Sequence, residues 1–262
     1  MLAETEIQSC CAVSYGHPMA GWLLGDSWHP GGLKLTSRLA ESAGVGPNSQ
    51  VLDIGSGLGT SAVHLAVTTR STVTGVTLEE KGVTAGCALA QRQGVSDRVT
   101  FVLGDILQAP LGNTQFDVAV AECVLSILPD KARALQHVKG LLAPGGRIAM
   151  TDVTVSGELP SELQSLLAVA GCVGGALPLS GYRALIEEEG FIVEQCEDLP
   201  ETAGNFTRDI MGKLMMAELA VKLGKVAADM NIVDQAKSIR ATIRDLVQRG
   251  VLSYGLLVAR VP

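Results

Sequence analysis

The sequence predicts a doubly wound α/β fold around a mostly parallel, seven-stranded sheet, with a helical insertion before the last strand. Three observations lead there. Short apolar runs alternate with segments of helical apolar spacing, the pattern of a sheet covered on both faces. Turns holding glycine or proline separate these pieces, which is where a chain leaves a strand or reverses. Between the last two strand-like runs lies a long stretch with helical spacing and no strand-like run of its own.

Residues 1–35 contain Cys10-Cys11, Tyr15-Gly16-His17-Pro18 and Trp28-His29-Pro30-Gly31-Gly32, too much glycine and proline for one long helix, and read as an arm or lid. The α/β domain proper is expected over 36–262. Helical spacing runs from Leu33 to Ala43, and Gly44 to Pro47 breaks it. Strand, turn and helix or loop then recur: Val51–Ile54 into Thr60–Thr68, Thr72–Val76 into Gly82–Gln93, and Thr100–Leu103 into a loop ending near Gly112. A strand over Phe116–Ala121, a helix over Pro129–Leu142 and a strand over Gly146–Val153 follow, with Pro144-Gly145-Gly146 as the turn. Helices are expected over 161–171 and Ser180–Glu189, and a strand over Phe191–Glu197. In the 201–249 stretch Ile210, Leu214, Met215, Leu219 and Leu223 recur at helical spacing, so a helical cap over the site is expected. Ser253–Val261 reads as the last strand, returning to the sheet edge.

A chain of 262 residues is long enough for one large domain with a generous core. Apolar residues make up 47% and the mean hydropathy is +0.31, yet Gly, Asp and Arg interrupt every apolar run before it reaches spanning length. A soluble protein without a membrane partner is expected. The net charge of -7 and the lack of a Lys/Arg cluster exclude a nucleic-acid substrate, whose phosphates would need a basic face. Aromatic residues, at 3%, leave no platform for stacking single-stranded bases. A small acceptor remains. The first residues lack a basic segment followed by an apolar one, so a cytoplasmic location and reduced thiols for the six cysteines are expected.

The run Val51-Leu52-Asp53-Ile54-Gly55-Ser56-Gly57-Leu58-Gly59-Thr60 puts a carboxylate at a strand end and glycines at alternate positions before a helix. Glycine is needed where backbone must approach a ligand without a Cβ. A dinucleotide turn has the spacing G-x-G-x-x-G. Here the spacing is G-x-G-x-G after an aspartate, which suits a zwitterionic methionine tail: Asp53 takes the ammonium, and backbone N–H groups near Gly55 and Gly57 take the polar atoms. Gly104-Asp105-Ile106 ends the third strand, where Asp105 is placed to accept from an adenine amino group and Ile106 to cover the ring.

Over residues 48–155 this constellation resembles the class I S-adenosylmethionine-dependent methyltransferases, whose fold is Rossmann-like. The resemblance implies S-adenosylmethionine as cofactor, with Asp53, Gly55, Gly57, Gly59, Thr77, Leu78, Asp105, Ile106 and Glu122 around it. Many members carry an acidic residue at the end of the second strand for the ribose hydroxyls; here Gly75-Val76-Thr77-Leu78 has Thr77, with Glu79 or Glu80 as substitutes. That form is similar to the tocopherol and cyclopropane-synthase branches.

Ala121-Glu122-Cys123-Val124-Leu125-Ser126 places Cys123 just beyond the fourth strand, and Thr151-Asp152-Val153, Leu159-Pro160 and Gly171-Cys172-Val173-Gly174-Gly175-Ala176 follow. From about 48 to 192 these spacings resemble the arsenite methyltransferase family, in which a cysteine after the fourth strand and another before a Gly-Gly-Ala turn bind trivalent arsenic. The resemblance makes Cys123 and Cys172 the arsenic ligands, with Cys10 or Cys11 as the candidates for a third thiol and glutathione as a thiol reductant. Trivalent arsenic is soft, so thiolates are its natural ligands. In-line transfer from a sulfonium chiefly needs alignment and exclusion of water.

Rival readings stand beside this. Cys87 and Cys196 read as buried packing residues. His64 and His137 read as structural, and His17 and His29 as candidates to line the acceptor pocket. Tyr15 reads equally as a cofactor-carboxylate contact and as packing. For the whole chain the alternatives are methylation of a small organic acceptor at S, N, O or C, and non-catalytic binding of cofactor or metalloid.

Overall fold

A computed structural model describes residues 29–160, 173–222 and 241–262. Its elements run α1 (Gly32–Ser42), β1 (Gln50–Ile54), α2 (Thr60–Thr69), β2 (Thr72–Thr77), α3 (Glu80–Arg92), β3 (Val99–Leu103), β4 (Phe116–Glu122), a single 3-10 turn (Leu125–Ile127), α4 (Lys131–Leu141), β5 (Leu142–Val155), α5 (Leu179–Glu188), β6 (Ile192–Asp198), α6 (Pro200–Lys222) and β7 (Leu252–Arg260). Residues 241–248 are helical as well. The arm over residues 1–28 and the helix expected over 161–171 lie outside the described residues, as do Cys10, Cys11 and Cys172. Residues 32–35, read above as part of the arm, form the first turn of α1.

The strands form one sheet in the order β3-β2-β1-β4-β5-β7-β6. The pairs from β3 across to β5 are parallel, and β7 is antiparallel to both β5 and β6. The chain leaves β1 toward β2 and β3, then returns to place β4 on the other side. That reversal opens a crevice at the carboxyl ends of β1 and β4, where open α/β sheets bind ligands.

Alternation along the strands divides the core. Val51, Val118, Val120 and Tyr254 point to the face covered by α1, α2 and α3, where Leu39, Leu65 and Ala90 pack, with Ala203 from α6. Leu52, Ile54, Ala119, Ala121 and Leu257 point to the face covered by α4 and α5, against Leu135, Tyr182 and Ile186.

The last strand corrects one expectation. It does not return to the sheet edge but inserts between β5 and β6, leaving β6 outermost. The reason is burial: the seven residues Ser253 to Ala259 are all buried, whereas β6 has no fully buried position. A strand apolar on both faces gains most from an interior place. β5 also begins earlier than expected, at Leu142, and takes in Pro144-Gly145-Gly146. Its pairing with β4 shifts register between Phe116 and Val118, and Gly145 has φ +74°. The helix before it starts at Lys131 because Asp130 caps it, its Oδ1 accepting from Arg133 N at 2.9 Å, as a short acidic side chain does at an N-cap.

Candidate active site

Among the described residues the crevice is built by the turn after β1, the ends of β2, β3 and β4, and the start of α2. Gly55, Gly57 and Gly59 have φ of +69°, +52° and +80°, a left-handed backbone that favours glycine. Their surroundings differ. Gly55 and Gly57 are exposed. At Gly57 a Cβ would meet nothing closer than 4.0 Å; at Gly55 it would strike Val124 Cγ2 at 2.7 Å. At Gly59 it would strike Phe101 at 2.5 Å and the Gly86 Cα at 2.7 Å. Gly59 thus serves close packing of α2 against α3 and β3, while Gly55 and Gly57 present backbone to the crevice. Gly59→Ala is expected to lower the unfolding free energy by about 3 kcal/mol, from left-handed strain plus overpacking. Urea unfolding at unchanged m-value is the check.

Asp53 is 3% exposed. Burial, and then the charge of Glu122, push its carboxyl well above the usual carboxylate range, against a backbone hydrogen bond from Ala62 that lowers it. Its Oδ2 and the Ser56 Oγ are buried with no hydrogen-bond partner among the described residues. Unpartnered buried polar atoms are costly, so these two mark a place shaped for polar groups from outside the chain.

Glu122 ends β4 on the same face. Thr36 Oγ1 on α1 donates to Oε1 and Oε2 at 3.0 and 3.1 Å, Ser61 Oγ on α2 donates to Oε2 at 2.7 Å, and His29 Nε2 lies 3.4 Å from Oε2. The carboxylate therefore ties α1, α2 and the residues before α1 to the end of β4. His29 is buried and faces this carboxylate rather than an open pocket.

Cys123 follows immediately. It has φ +56°, uncommon outside glycine and a mark of local strain. Its N–H donates to Thr151 O at 2.8 Å, the residue is 9% exposed, and its Sγ lies 3.2 Å from the Tyr254 hydroxyl. Behind it the buried Asp152 anchors the 3-10 turn, accepting from Ser126 N at 2.9 Å and Val153 N at 2.8 Å. Burial raises its carboxyl to about 6.

The other expected positions are distributed as follows. Thr77 is buried, its Oγ1 accepting from Glu79 N at 3.5 Å, so its hydroxyl is turned under the start of α3. Leu78 is 48% exposed, an apolar surface at a strand end suited to a ring. Asp105 accepts from Leu107 N through Oδ1 at 3.0 Å and shapes its loop, and Ile106 is largely buried in the second core face. Cys87 is exposed and Cys196 is half-buried, neither the fully buried packing residue expected. Thr36, Ser61, Tyr254, Gly82 and Gly86 also shape this site although none stands in a recognisable sequence motif. A Cβ at Gly82 would meet Gly57 O at 2.4 Å, so α3 approaches the turn only because Gly82 is bare.

A glycine turn and an orphaned carboxylate oxygen thus meet at the switch point of the sheet. Residues 46–220 match the family model described as methyltransferase domain. The chain belongs to this methyltransferase family. The methyltransferase is 30% identical over 232 residues to the 27-O-demethylrifamycin SV methyltransferase of Amycolatopsis mediterranei, covering 87% of this chain and 83% of that one. It is 32% identical over 205 residues to an arsenite methyltransferase of Aquipseudomonas alcaligenes, covering 72% and 57%. Phosphoethanolamine N-methyltransferase 2 of Haemonchus contortus, solved with S-adenosylhomocysteine, superposes with a TM-score of 0.78 at 17% identity, over 100% of this chain and 61% of that one. The enzyme is an S-adenosylmethionine-dependent methyltransferase of α/β fold. The residues present fit that cofactor: Asp53 Oδ2 and Ser56 Oγ are unpartnered among the described residues, Gly55 and Gly57 are exposed, and Leu78 offers an apolar surface.

Proposed function

We propose that this methyltransferase acts on trivalent arsenic held by the thiolates of Cys123 and Cys172. The observation that carries the reading is the placement of Cys123, a buried thiol in a strained backbone at the carboxyl end of β4, one residue before the Val124 side chain that abuts Gly55. A soft sulfur ligand at that position fixes a soft metalloid beside the cofactor crevice. The cofactor supplies an electrophilic methyl group on a sulfonium. The chain's own residues then bind and aim: Asp53 holds a cationic group in the crevice, Gly55 and Gly57 give backbone contacts, Leu78 and Ile106 flank the ring region with Asp105 beside them, and Glu122 adds negative charge while locking α1 and α2. Cys123 and Cys172 direct the arsenic lone pair, and no general base is needed because arsenic loses no proton when its bond to carbon forms. The described helical parts of the 201–249 stretch, 201–222 and 241–248, are proposed as a cap over this site.

A second reading, O-methylation of an organic hydroxyl, is favoured by the likeness to the rifamycin-modifying enzyme, which extends over 87% of the chain. Incubation with labelled S-adenosylmethionine, glutathione and arsenite, followed by arsenic speciation, separates the two. Labelled methylarsenicals are expected; label only in organic hydroxyl acceptors would overturn the first reading.

Cofactor binding is expected to be proton-linked. Asp53, with its carboxyl raised by burial and by Glu122, gives up a proton when it takes the ammonium. Affinity therefore rises with pH up to that raised value and levels off above it. Calorimetry in two buffers of different ionisation enthalpy checks this: proton release on binding is expected below that raised value, and it disappears in Asp53→Asn.

A further inference from the structure

Tyr254 stands on β7 and is 1% exposed. Its side chain reaches back over β5 to the end of β4, where the hydroxyl lies 3.1 Å from Thr151 Oγ1 and 3.2 Å from Cys123 Sγ. Thr151 is itself fully buried, and its backbone oxygen accepts from the Cys123 N–H at 2.8 Å. Thr151 therefore holds Cys123 twice, through the backbone directly and through the sulfur by way of Tyr254. The register brings them near: Thr151 pairs with Glu122, the residue before Cys123, and with Leu256 on β7, while Tyr254 pairs with Val153 and reaches Thr151 diagonally, since residues two apart on a strand share a face.

The two hydroxyls make a chain that runs in either direction, because each rotates and both donates and accepts. With a protonated sulfur, the thiol donates to Tyr254 and Tyr254 donates to Thr151. With sulfur deprotonated, Thr151 donates to Tyr254 and Tyr254 donates to sulfur. No heavy atom moves. Tyr254 remains a hydroxyl throughout, since burial first, and then the charges of Cys123 and Asp152, push its ionisation well above the ordinary tyrosine range. Ionisable groups on the neighbouring elements include Glu122 before Cys123 on its own strand with His29 against it, Asp53 on β1, Asp152 after Thr151 on β5, and Tyr254 itself on β7.

We propose that Tyr254 is a positioning residue for the acceptor thiol: with Thr151 behind it, it aims the Cys123 sulfur and stabilises it when its proton leaves. The proposal rests on the reading of Cys123 as an arsenic ligand. In the step it serves, a sulfur–arsenic bond forms, an arsenic–oxygen bond breaks, and the departing hydroxide takes the thiol proton as water; no electron transfer is involved. Phenylalanine in place of Tyr254 keeps the volume but removes the hydroxyl between the sulfur and Thr151 Oγ1, so a buried sulfur anion loses the Tyr254 donor.

The test uses the full-length chain and Tyr254→Phe, with Thr151→Val as a second variant that breaks the relay one step further out. Cys123 alkylation by iodoacetamide is followed against pH by mass spectrometry of its own peptide, so the other cysteines do not contribute. In Tyr254→Phe the midpoint is expected to rise by about one pH unit, with alkylation near neutrality slowed about tenfold. Arsenite methylation is expected to fall by a similar factor with its pH profile displaced upward, and cofactor affinity to stay unchanged. Thr151→Val is expected to shift the midpoint in the same direction by less, and it decides the matter if Tyr254→Phe does not fold. An unshifted midpoint together with an unshifted rate profile would overturn the proposal. A wild-type enzyme that methylates no arsenite while the alkylation shift persists would overturn the acceptor reading and leave the hold of Tyr254 on the sulfur supported.

Discussion

Cys123→Ser is expected to slow arsenite methylation about a hundredfold or more, roughly 2.7 kcal/mol of transition-state stabilisation, with cofactor affinity unchanged. The substitution isolates the sulfur. Serine is smaller by little, its hydroxyl keeps a partner in the Tyr254 hydroxyl now 3.2 Å from Sγ, and the backbone bond to Thr151 O does not involve the side chain. What is lost is a soft donor, and a hard oxygen is a poor ligand for trivalent arsenic. Single-turnover rates with pre-bound cofactor measure it. The same loss is expected for Cys172→Ser. If methylation of an organic hydroxyl is the real activity, both serine variants retain turnover.

The second large effect concerns Asp53→Asn, which is expected to weaken S-adenosylmethionine binding about a hundredfold while making the ligand-free protein more stable. The two changes share one cause. In the folded chain the Asp53 carboxyl holds its proton to a higher pH than when unfolded, because it is buried and faces the charge of Glu122. The native state then binds more protons than the unfolded state between the two values, and stability falls as pH rises through that window. Asparagine removes the fall, accepts from Ala62 as the carboxylate does, and turns an orphaned oxygen into a donor near Glu122. It also removes the charge that a cationic ligand needs, and truncating one side of a buried charge pair typically costs 2–5 kcal/mol. Thermal melts across pH with calorimetric titration detect both; a less stable Asp53→Asn protein with undiminished affinity would sink this account of the crevice.

Much of this architecture was legible in the chain itself, for a local reason. Alternating apolar runs and glycine turns are set by neighbours within a few residues, so β1 to β4 and their helices fall within a few residues of expectation. The position of β7 was not, since sheet order depends on which distant strand offers the better partner. The unbroken apolar run Leu256-Leu257-Val258-Ala259 was the available signal. The glycine turn and Asp53 were readable as a motif because their spacing carries the chemistry. Thr36, Ser61 and Tyr254 were not, because they meet Glu122 and Cys123 from 61 to 131 positions away. Gly82 and Gly86 left a trace, bare positions one helical turn apart, which marks close packing as readily as chance. Thr77 holds its motif position at the end of β2, and its contact with Glu79 N was not legible from that position.

The central claim is that sulfur from Cys123 bonds the acceptor. Arsenic K-edge X-ray absorption on the intact protein with arsenite tests it directly. The account predicts that sulfur replaces oxygen around the arsenic and that the sulfur contribution drops in Cys123→Ser. Arsenic that keeps an all-oxygen environment, or a sulfur shell identical in the two proteins, would contradict it.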